Sequence, residues 1–522
     1  MNTFLNEMKY FDAYTTTENG AGALKTTGEA MLDAFGSMGA MKDSSEELIL
    51  RTFIKAFNED RGMAMRLLFY MRDVRGGQGM RRVFRVCVKW LGDTHPEYVL
   101  HNLDNFLFFG RGDDIFALVD TVAWHDTVTW LQFHMIEDLE KFKNGQEVSL
   151  MAKWMPSENT SSQETRKLAR RLQKDMKLSP KTYRQLLSFL RGEIKLVESQ
   201  MSQNKWDEIK FENVPSRASM KYTDAFEKHS QDRYYDYLKK VADGNAKINA
   251  KALFPVDIVH KIWQFRYSTI KMKDRLLFNG MWNNLPNYFE GKEETGLCVV
   301  DVSGSMYGTP IEVALSLGLY CAGKARGPFK NHFITFSRTP SLQEIGGEDV
   351  VDDVYTMERS DWGVNTNLEK VFDLILATAI KENVRPEDVP NKLYIISDMQ
   401  FDRAMTERSS ETWFNAMKHK YETFGYEMPA VVFWNVNAGI CGMFQERYDG
   451  LDVAMVSGYS PSLFKAVIEG TQYEEEERSG ELRQKIDPIE VMNTALLNER
   501  YDRVWTGESN ESFEKENSLG RR

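Results

Sequence analysis

Five oxygen-bearing side chains stand at positions typical of a divalent-cation site. Three form the pattern Asp301-x-Ser303-x-Ser305, which directly follows an apolar run. The other two are Thr366, in a loop before a predicted helix, and Asp398, which ends another apolar run. Carboxylates and hydroxyls are hard donors that suit Mg²⁺, Mn²⁺ or Ca²⁺, whereas zinc prefers nitrogen and sulfur. The pattern therefore predicts one metal site made of these five residues.

The five donors can meet only if strands bring them to one edge of a sheet. From about residue 290, short apolar runs alternate with helical patterns. Strands are predicted at 296–301, 331–336, 392–397, 430–435 and 451–456, and helices at 309–325, 367–382, 407–422 and 460–469. This alternation indicates a doubly wound, mostly parallel sheet, in which ligands bind beyond the carboxyl ends of the strands. Gly304 permits the tight turn that aims both serines at one point.

The complete pattern resembles the metal-ion-dependent adhesion site (MIDAS) of von Willebrand factor A domains, over about residues 293–470. That resemblance implies that Ser303, Ser305 and Thr366 bind the ion directly, and that the two aspartates often bind it through water. With two negative side chains, the ion keeps Lewis acidity, and a partner's carboxylate or phosphate could complete its shell. The alternative is that Asp301 and the serines only cap a helix and a turn.

Before residue 290 the spacing of apolar residues is helical. The stretch after Ser44 and Ser45 has apolar residues three and four apart. Further helices are predicted at 80–91, 97–109, 113–121, 127–143, 164–176, 180–200, 223–241 and 256–275. Successive antiparallel helix pairs would stack as an α-solenoid or a helical ring. The expected fold class is thus α plus α/β, with a helical-repeat domain before the sheet.

This domain order resembles the Ro autoantigen (TROVE) architecture, in which a ring of HEAT-like helix pairs is closed by a von Willebrand A domain. Several segments more closely resemble a Ro-like family of plants, fungi and large phages that is described only as a domain of unknown function. They are Lys153-Trp-Met-Pro-Ser-Glu158, Tyr183-Arg184 to Leu190-Arg191, Val214-Pro215-Ser216, Ser397-Asp-Met-Gln-Phe-Asp402, Val432-Phe-Trp-Asn435 and Ser457-Gly-Tyr459. The Ro resemblance implies a ribonucleoprotein that binds noncoding RNA and single-stranded RNA ends.

Two groups of basic residues are candidates for contacting RNA. The first surrounds the glycine-rich break at 76–79 and contains Arg72, Arg75, Arg81, Arg82 and Arg85. The second contains Lys153, Arg166, Lys167, Arg170, Arg171, Lys174, Lys177, Lys181, Arg184 and Arg191, with Trp154 and Tyr183 as rings that could stack on bases. The alternative is that these cations form ion pairs between helices and that the aromatic rings lie in the core. Arg111 is predicted to pair internally with Asp113 and Asp114.

The charge is unevenly distributed along the chain. Residues 151–290 contain 26 basic and 16 acidic side chains, whereas the whole chain has a net charge of −11. A basic middle beside an acidic C-terminal third favours two domains with different partners. RNA binding is therefore the expected function. The alternative is a protein–protein interaction scaffold, in which the metal binds a partner's carboxylate. Solvated helix faces of either sign would also produce this distribution.

Other functional classes find little support in the sequence. There is no Gly-rich phosphate loop with lysine, no HExxH and no GxSxG, so an enzyme is not expected and a metal-dependent hydrolase is the weakest alternative. The chain has no apolar run near 20 residues, no secretory signal pattern, and four cysteines whose spacing fits neither disulfides nor zinc. The expected location is the cytoplasm, or the host cytoplasm if the gene is viral.

The same features predict five regions. They are an N-terminal arm (1–45), a helical-repeat domain (46–290), a von Willebrand A domain (291–475), a C-terminal helical extension (476–505) and a disordered tail (506–522). Within these regions, Tyr473–Arg478 is predicted to be a solvated loop, and Pro488 to Trp505 one docked helix.

Overall fold

The fold is described from a computed structural model. It describes residues 13–507, with gaps at 195, 266, 292–295, 337–339, 359–366, 386–387, 402–411, 439–443, 446, 448–449, 451 and 476–481. Contacts divide the chain into two compact units. The sheet unit contains residues 1–48, 74–78 and 200–495, and the helical unit contains residues 49–73, 79–199 and 496–522. Among the helices of the described ranges, none is long and apolar enough to cross a membrane.

Within the described residues between 13 and 283, the chain is helical after one short hairpin. The hairpin strands are β1 (Tyr14–Thr16) and β2 (Gly22–Leu24). Helices α1 to α7 are Ala30–Met38, Glu46–Glu59, Arg61–Arg72, Arg81–Thr94, Pro96–Leu100, Leu103–Phe109 and Trp124–Lys143. Helices α8 to α14 are Met151–Trp154, Gln163–Asp175, Pro180–Glu193, Val197–Ser202, Ser216–Ala242, Pro255–Gln264 and Met272–Asn283. The predicted predominance of helix before residue 290 is confirmed.

Serine caps define the starts of α9 and α10, the pair that carries most of the second basic group. The Ser162 hydroxyl accepts the Thr165 N–H at 3.2 Å, and the Ser179 hydroxyl accepts the Thr182 N–H at 3.1 Å. Pro180 occupies the first position of α10, where its missing N–H removes no helical hydrogen bond. These local signals are readable in the sequence, and both helices begin within one residue of their predicted starts.

Several predicted helices are wrong in their extent. The helix predicted at 180–200 ends at Glu193, because the next residue, Ile194, is extended, and α11 starts afresh at Val197. The helix predicted at 256–275 is two helices, with α13 ending at Gln264 and α14 starting at Met272. In both cases the apolar periodicity continued across a turn that the backbone makes. The helix predicted at 97–109 is likewise two helices, α5 and α6. The segment predicted at 113–121 is a 3₁₀ helix at Gly112–Leu118, and the helix predicted at 223–241 starts earlier, at Ser216.

The C-terminal part contains a six-stranded sheet. Its strands are β3 (Gly296–Asp301), β4 (His332–Phe336), β5 (Ser341–Glu344), β6 (Lys392–Ser397), β7 (Ala430–Asn435) and β8 (Val453–Ser457). Their order is β5-β4-β3-β6-β7-β8, and every pair is parallel except β4 with β5. Helices α15 to α20 are Thr309–Lys324, Val350–Glu358, Glu369–Lys381, Trp413–Thr423, Ser462–Glu469 and Pro488–Leu496. The predicted mostly parallel sheet after a helical region is confirmed.

The sequence analysis missed the elements whose side chains are polar. Edge strand β5 has mostly exposed side chains, so it lacks the apolar run that marked the buried strands. Part of the predicted loop at Tyr473–Arg478 is strand β9 (Thr471–Glu475), which pairs with β10 (Leu482–Ile486). The helix predicted from Pro488 to Trp505 ends at Leu496 and is followed by a separate 3₁₀ turn at Glu499–Tyr501.

Helix α1 contacts the carboxyl end of β8 through a glycine. The Gly39 N–H donates to the Ser457 hydroxyl at 3.0 Å, and that hydroxyl donates to the Phe35 carbonyl at 2.9 Å. A Cβ on Gly39 would lie 2.2 Å from the Ser457 carbonyl oxygen, so no side chain fits there. The described part of the predicted arm is therefore closely packed against the sheet.

Gly39→Ala is expected to destabilise the sheet unit by about 2 kcal/mol or more, because α1 must shift away from β8. Gly346→Ala is the matched control, since a Cβ there meets nothing within 4 Å. Chemical denaturation followed by circular dichroism would measure both variants. Equal unfolding midpoints for the two variants would contradict the close approach.

Candidate functional site

The register of β3 and β6 brings two of the predicted metal ligands to the same sheet edge. Val300 of β3 pairs with Ile396 of β6, so Asp301 lies beside Ser397 and Asp398 follows directly. Because the two strands are parallel neighbours, their carboxyl ends meet at one edge. Both aspartates are buried there, at 0% and 5% exposure.

Asp301 is held by hydrogen bonds on both carboxylate oxygens. The Ser303 N–H donates to Oδ1 at 2.9 Å, and the Ser397 hydroxyl donates to Oδ2 at 2.6 Å. The Ser303 and Ser305 hydroxyl oxygens are 3.1 Å apart. The structure therefore brings four of the five predicted ligands, Asp301, Ser303, Ser305 and Asp398, to one site. Thr366 lies outside the described residues.

Burial makes both carboxylates of this site harder to ionise. Burial, and then the negative charge of Asp398, raise the pKa of Asp301 to about 7, although bonds from Ser397 and Ser303 oppose the shift. Burial also raises the pKa of Asp398, against a hydrogen bond with Ser305. Within the described ranges, neither aspartate forms an ion pair with lysine or arginine. A divalent cation would supply the missing charge.

The donor set at this edge fits a hard cation. Two carboxylates and two hydroxyls provide oxygen alone, and Ser305 is exposed, so water or a partner's oxygen can reach its side of the site. Tyr307, two residues further on, is 87% exposed. In the described part of the chain, no group of three or more His, Cys, Asp or Glu side chains could hold a metal ion. The site described above has only two such side chains, Asp301 and Asp398, and its other donors are serine hydroxyls.

The N-terminal turn lies next to this site, which the sequence analysis did not foresee. The Thr17 hydroxyl donates to the Phe401 carbonyl at 2.6 Å, and the Glu18 N–H donates to the Gln400 side-chain oxygen at 2.8 Å. After burial, the negative charge of Glu18 is a further cause that raises the pKa of Asp398. Contacts across some 380 residues leave no local pattern, so no spacing rule could have found them. Ser397 was also missed, because it reads as the last residue of a buried strand.

Most of the second basic group forms an exposed surface on α9, α10 and the turn between them, here called the α9–α10 basic surface. Residues 163–193 contain nine basic and three acidic side chains. Five exposed cations of this surface have no ion-pair partner among the described residues: Arg166, Lys167, Lys174, Lys177 and Lys181. Arg170 and Arg184 are exposed too, at 3.8 Å and 3.3 Å from Glu158. Lys153 lies 5.5 Å from the centre of the Trp154 ring.

Three members of the second group have structural roles instead. Arg191 donates to the carbonyls of Ala152 and Met155 at 2.8 Å and 2.6 Å, which ties α10 to the end of α8. The Tyr183 ring is buried and its hydroxyl donates to a backbone carbonyl, so the ring is not available to a base. Arg171 pairs with Asp175 at 2.6 Å. Sequence spacing placed these residues on helices and is consistent with the pair of Arg171 with Asp175 four residues on, but it could not show the distant carbonyls that Arg191 and Tyr183 bind.

The first basic group does not form one exposed cluster. Arg72, Arg81 and Arg85 form ion pairs with Asp113 and Asp114. The predicted pairing of Arg111 with its own acidic neighbours is confirmed, since its Nη2 lies 2.9 Å from Asp113 Oδ2. Arg82 is exposed on α4. Arg75 belongs to the sheet unit, where its carbonyl accepts the Tyr288 hydroxyl at 3.5 Å.

Comparison with known proteins identifies the family. Residues 17–175 and 158–285 match the family described as Domain of unknown function (DUF2828), and residues 295–496 match Domain of unknown function (DUF7788). The DUF2828 match spans just over half of the 522 residues, so the chain belongs to that family. The chain is also 29% identical to an uncharacterized protein of Acanthamoeba polyphaga mimivirus, over 88% of this chain and 85% of that protein.

Proposed function

We propose that this member of the DUF2828 family is an RNA-binding protein that contacts RNA through the α9–α10 basic surface and holds a divalent cation at the Asp301 site. The observation that carries the proposal is the set of five exposed cations on α9, on α10 and in the turn between them, with no ion-pair partner among the described residues. A surface that balances its own charge would pair these side chains internally. Unpaired lysines and arginines in such number attract a polyanion and release its counterions.

An exposed aromatic ring supports single-stranded RNA as the ligand. Phe189 of α10 is 40% exposed, and it lies eight residues, or about two turns, after Lys181. The two side chains point about 80° apart around the helix axis. The Phe189 ring packs against the Phe142 ring, with the ring centres 4.8 Å apart, and the remaining ring surface is exposed. A base could stack on Phe189 while neighbouring phosphates contact the cations, as in other single-strand binding proteins. Phe189 thus takes the role that the sequence analysis gave to Tyr183.

The order and direction of the strands support a von Willebrand A-like identity for the C-terminal domain. Counted from β3, the order is 3-2-1-4-5-6 with one antiparallel edge strand, and the paired aspartates lie at the carboxyl edge. In this proposal Mg²⁺, or Mn²⁺ or Ca²⁺, binds among Asp301, Ser303, Ser305 and Asp398, with Thr366 as the fifth ligand. The helices at 46–290 then correspond to the HEAT-like repeats of a TROVE-like ring or solenoid.

Sequencing of nucleic acid that copurifies with the full chain tests the proposed function. We expect RNA to copurify at low salt, and the affinity of added RNA to fall steeply as salt rises, because counterion release drives binding. Purified protein that carries no nucleic acid and shows no salt-dependent RNA binding would contradict the proposal.

A protein–protein scaffold is the second candidate, and the open side of the cation site favours it. Ser305 and Tyr307 are exposed beside the buried aspartates, so a partner's carboxylate could reach a bound ion. In that case Asp301→Ala should abolish capture of the partner while the fold, followed by circular dichroism, is retained. Unchanged partners in a pull-down with Asp301→Ala would count against the scaffold.

A further inference from the structure

Four arginines of the helical unit surround two aspartates. Asp113 Oδ2 lies 2.7 Å from Arg81 Nη2, 2.9 Å from Arg111 Nη2 and 3.2 Å from Arg85 Nη2. A single carboxylate oxygen thus gathers three guanidinium groups. Arg81, Arg111 and Arg85 are 40%, 39% and 29% exposed, so their outer edges face solvent around this point.

The base of this arginine cluster is buried and consists of charged side chains that pair with each other. Arg72 Nε and Arg85 Nε each lie 2.7 Å from an oxygen of Asp114, whose side chain is fully buried. A Cβ on Gly110 would lie 2.7 Å from both Arg72 Nε and Asp114 Oδ2, so this position has room only for glycine. The close packing holds the guanidinium groups in place before any ligand arrives.

The arginine cluster contains more positive groups than its two carboxylates neutralise. Four guanidinium groups face two carboxylates, which leaves a surplus of two positive charges. Burial lowers the pKa of Arg81, and the nearby Arg85 lowers it further. Arg85 Nη2 and Arg111 Nε are buried nitrogen atoms with no hydrogen-bond acceptor, and Asp113 Oδ1 is a buried oxygen with no hydrogen-bond donor. An added dianion at the exposed edges of the guanidinium groups would offset the surplus positive charge.

An aromatic ring fixes the exposed rim. The Arg111 guanidinium lies 4.1 Å from the centre of the Trp154 ring, and Lys153 Nζ lies 5.5 Å from the same centre. The cation–π contact with Trp154 restrains the Arg111 guanidinium, while Lys153 adds a further positive charge near the rim.

We infer that this arginine cluster binds a phosphate monoester dianion at the exposed edges of Arg81, Arg85 and Arg111. A monoester carries a charge of about −1.5 to −2 at pH 7, which matches the surplus, whereas a phosphodiester carries one negative charge. Planar guanidinium groups bind phosphate oxygens in pairs, which lysines do not. This inference goes beyond the proposed RNA-binding surface, because it concerns a terminal phosphate group and requires neither the α9–α10 basic surface nor the cation.

Titration of the full chain with inorganic phosphate, followed by calorimetry at low salt, tests the site without RNA. Arg81→Gln and Arg111→Gln are each expected to weaken phosphate binding about tenfold, the usual effect of losing a charge-assisted hydrogen bond. Arg81→Lys should recover little of this loss, because the fork geometry is absent. Lys89→Gln is the control, since Lys89 is an exposed cation on the same helix, α4, and forms no ion pair with Asp113 or Asp114.

Asp113→Asn is expected to change the phosphate affinity in the opposite direction. It removes a competing carboxylate and raises the surplus charge, so phosphate should bind several-fold more tightly. An unfolded variant cannot gain affinity, so this result separates ligand binding from a purely structural role. No phosphate binding by the wild-type chain, or equal affinities in wild type, Arg81→Gln and Asp113→Asn, would overturn the inference.

Two sources could supply the monoester, and a second set of ligands distinguishes them. If the phosphate belongs to an RNA end, an oligonucleotide with a 5′-phosphate should bind more tightly than the same oligonucleotide with a 5′-hydroxyl, and Arg81→Gln should abolish the difference. If it belongs to a free nucleotide, adenosine monophosphate should bind as tightly as the phosphorylated oligonucleotide. If neither the phosphorylated oligonucleotide nor adenosine monophosphate binds at the cluster, and inorganic phosphate does not bind either, the phosphate site is refuted. Salt-dependent RNA binding would then still support the α9–α10 basic surface.

Discussion

Replacing five cations of the α9–α10 basic surface with glutamine should lower the affinity for single-stranded RNA by at least about 100-fold at 50 mM salt. The variant carries Arg166→Gln, Lys167→Gln, Lys174→Gln, Lys177→Gln and Lys181→Gln. None of these side chains has an ion-pair partner in the described part of the chain, so their loss should leave the fold intact. If all five contact phosphates, the log–log dependence of affinity on salt should flatten by up to about 3.5. Fluorescence anisotropy across a salt series would measure both quantities.

A matched variant shows whether RNA binding depends on the α9–α10 basic surface or only on the net charge of the chain. Lys210, Lys228, Lys239, Lys251 and Lys330 are five exposed lysines of the sheet unit. Replacing them with glutamine changes the net charge by the same amount. We expect this control to bind RNA within a few-fold of the wild-type chain. Equal losses in the two variants would mean that RNA binding depends on the overall charge, and the α9–α10 assignment would then be wrong.

The parts of the fold that could be predicted are those with a strong local signal. The runs 296–301 and 392–397 are entirely buried strands, and their interior residues are apolar, as expected of strands packed on both faces, although Asp301, Lys392 and Ser397 at their ends are polar. Edge strand β5 has no such signal, since a strand that faces solvent can be polar throughout. Helix starts with a serine cap were found within a residue, whereas the ends of α10 and α13 depend on turns that apolar spacing does not encode.

The residues of the cation site were also only partly predictable from the sequence. Asp301 and Asp398 were predictable because each terminates a buried strand, and neighbouring parallel strands end at one edge. The bond from Ser397 to Asp301 required the register, which only the paired strands define. Arg191 shows the limit for the basic residues. Its charge is visible in the sequence, but its bonds to carbonyls 36 and 39 residues away decide that it supports the fold.

Asp301→Asn and Asp398→Asn are each expected to weaken Mn²⁺ binding by at least about 100-fold. This exceeds the 10- to 100-fold effect of residues that only orient metal ligands. Each change removes one of two buried carboxylates that have no ion-pair partner among the described residues. Ser303→Ala and Ser305→Ala should have smaller effects, because each removes a neutral donor. Electron paramagnetic resonance of free Mn²⁺ during titration would give the affinities, and Asp232→Asn, an exposed aspartate, is the control.

The pH dependence of this binding should reveal Asp301 as the ligand that must lose a proton. Its pKa in the metal-free chain is about 7, so at pH 6 most molecules hold a proton that the ion must displace. Apparent Mn²⁺ affinity should therefore fall from pH 8 to pH 6, approaching about tenfold per unit below pH 7. By the same shift, the metal-free chain should gain stability as pH falls from about 7 toward 4, because its folded state binds that proton more tightly than the unfolded state does. Affinity that does not change over this pH range, or is unaltered by Asp301→Asn, would exclude this carboxylate as a metal ligand.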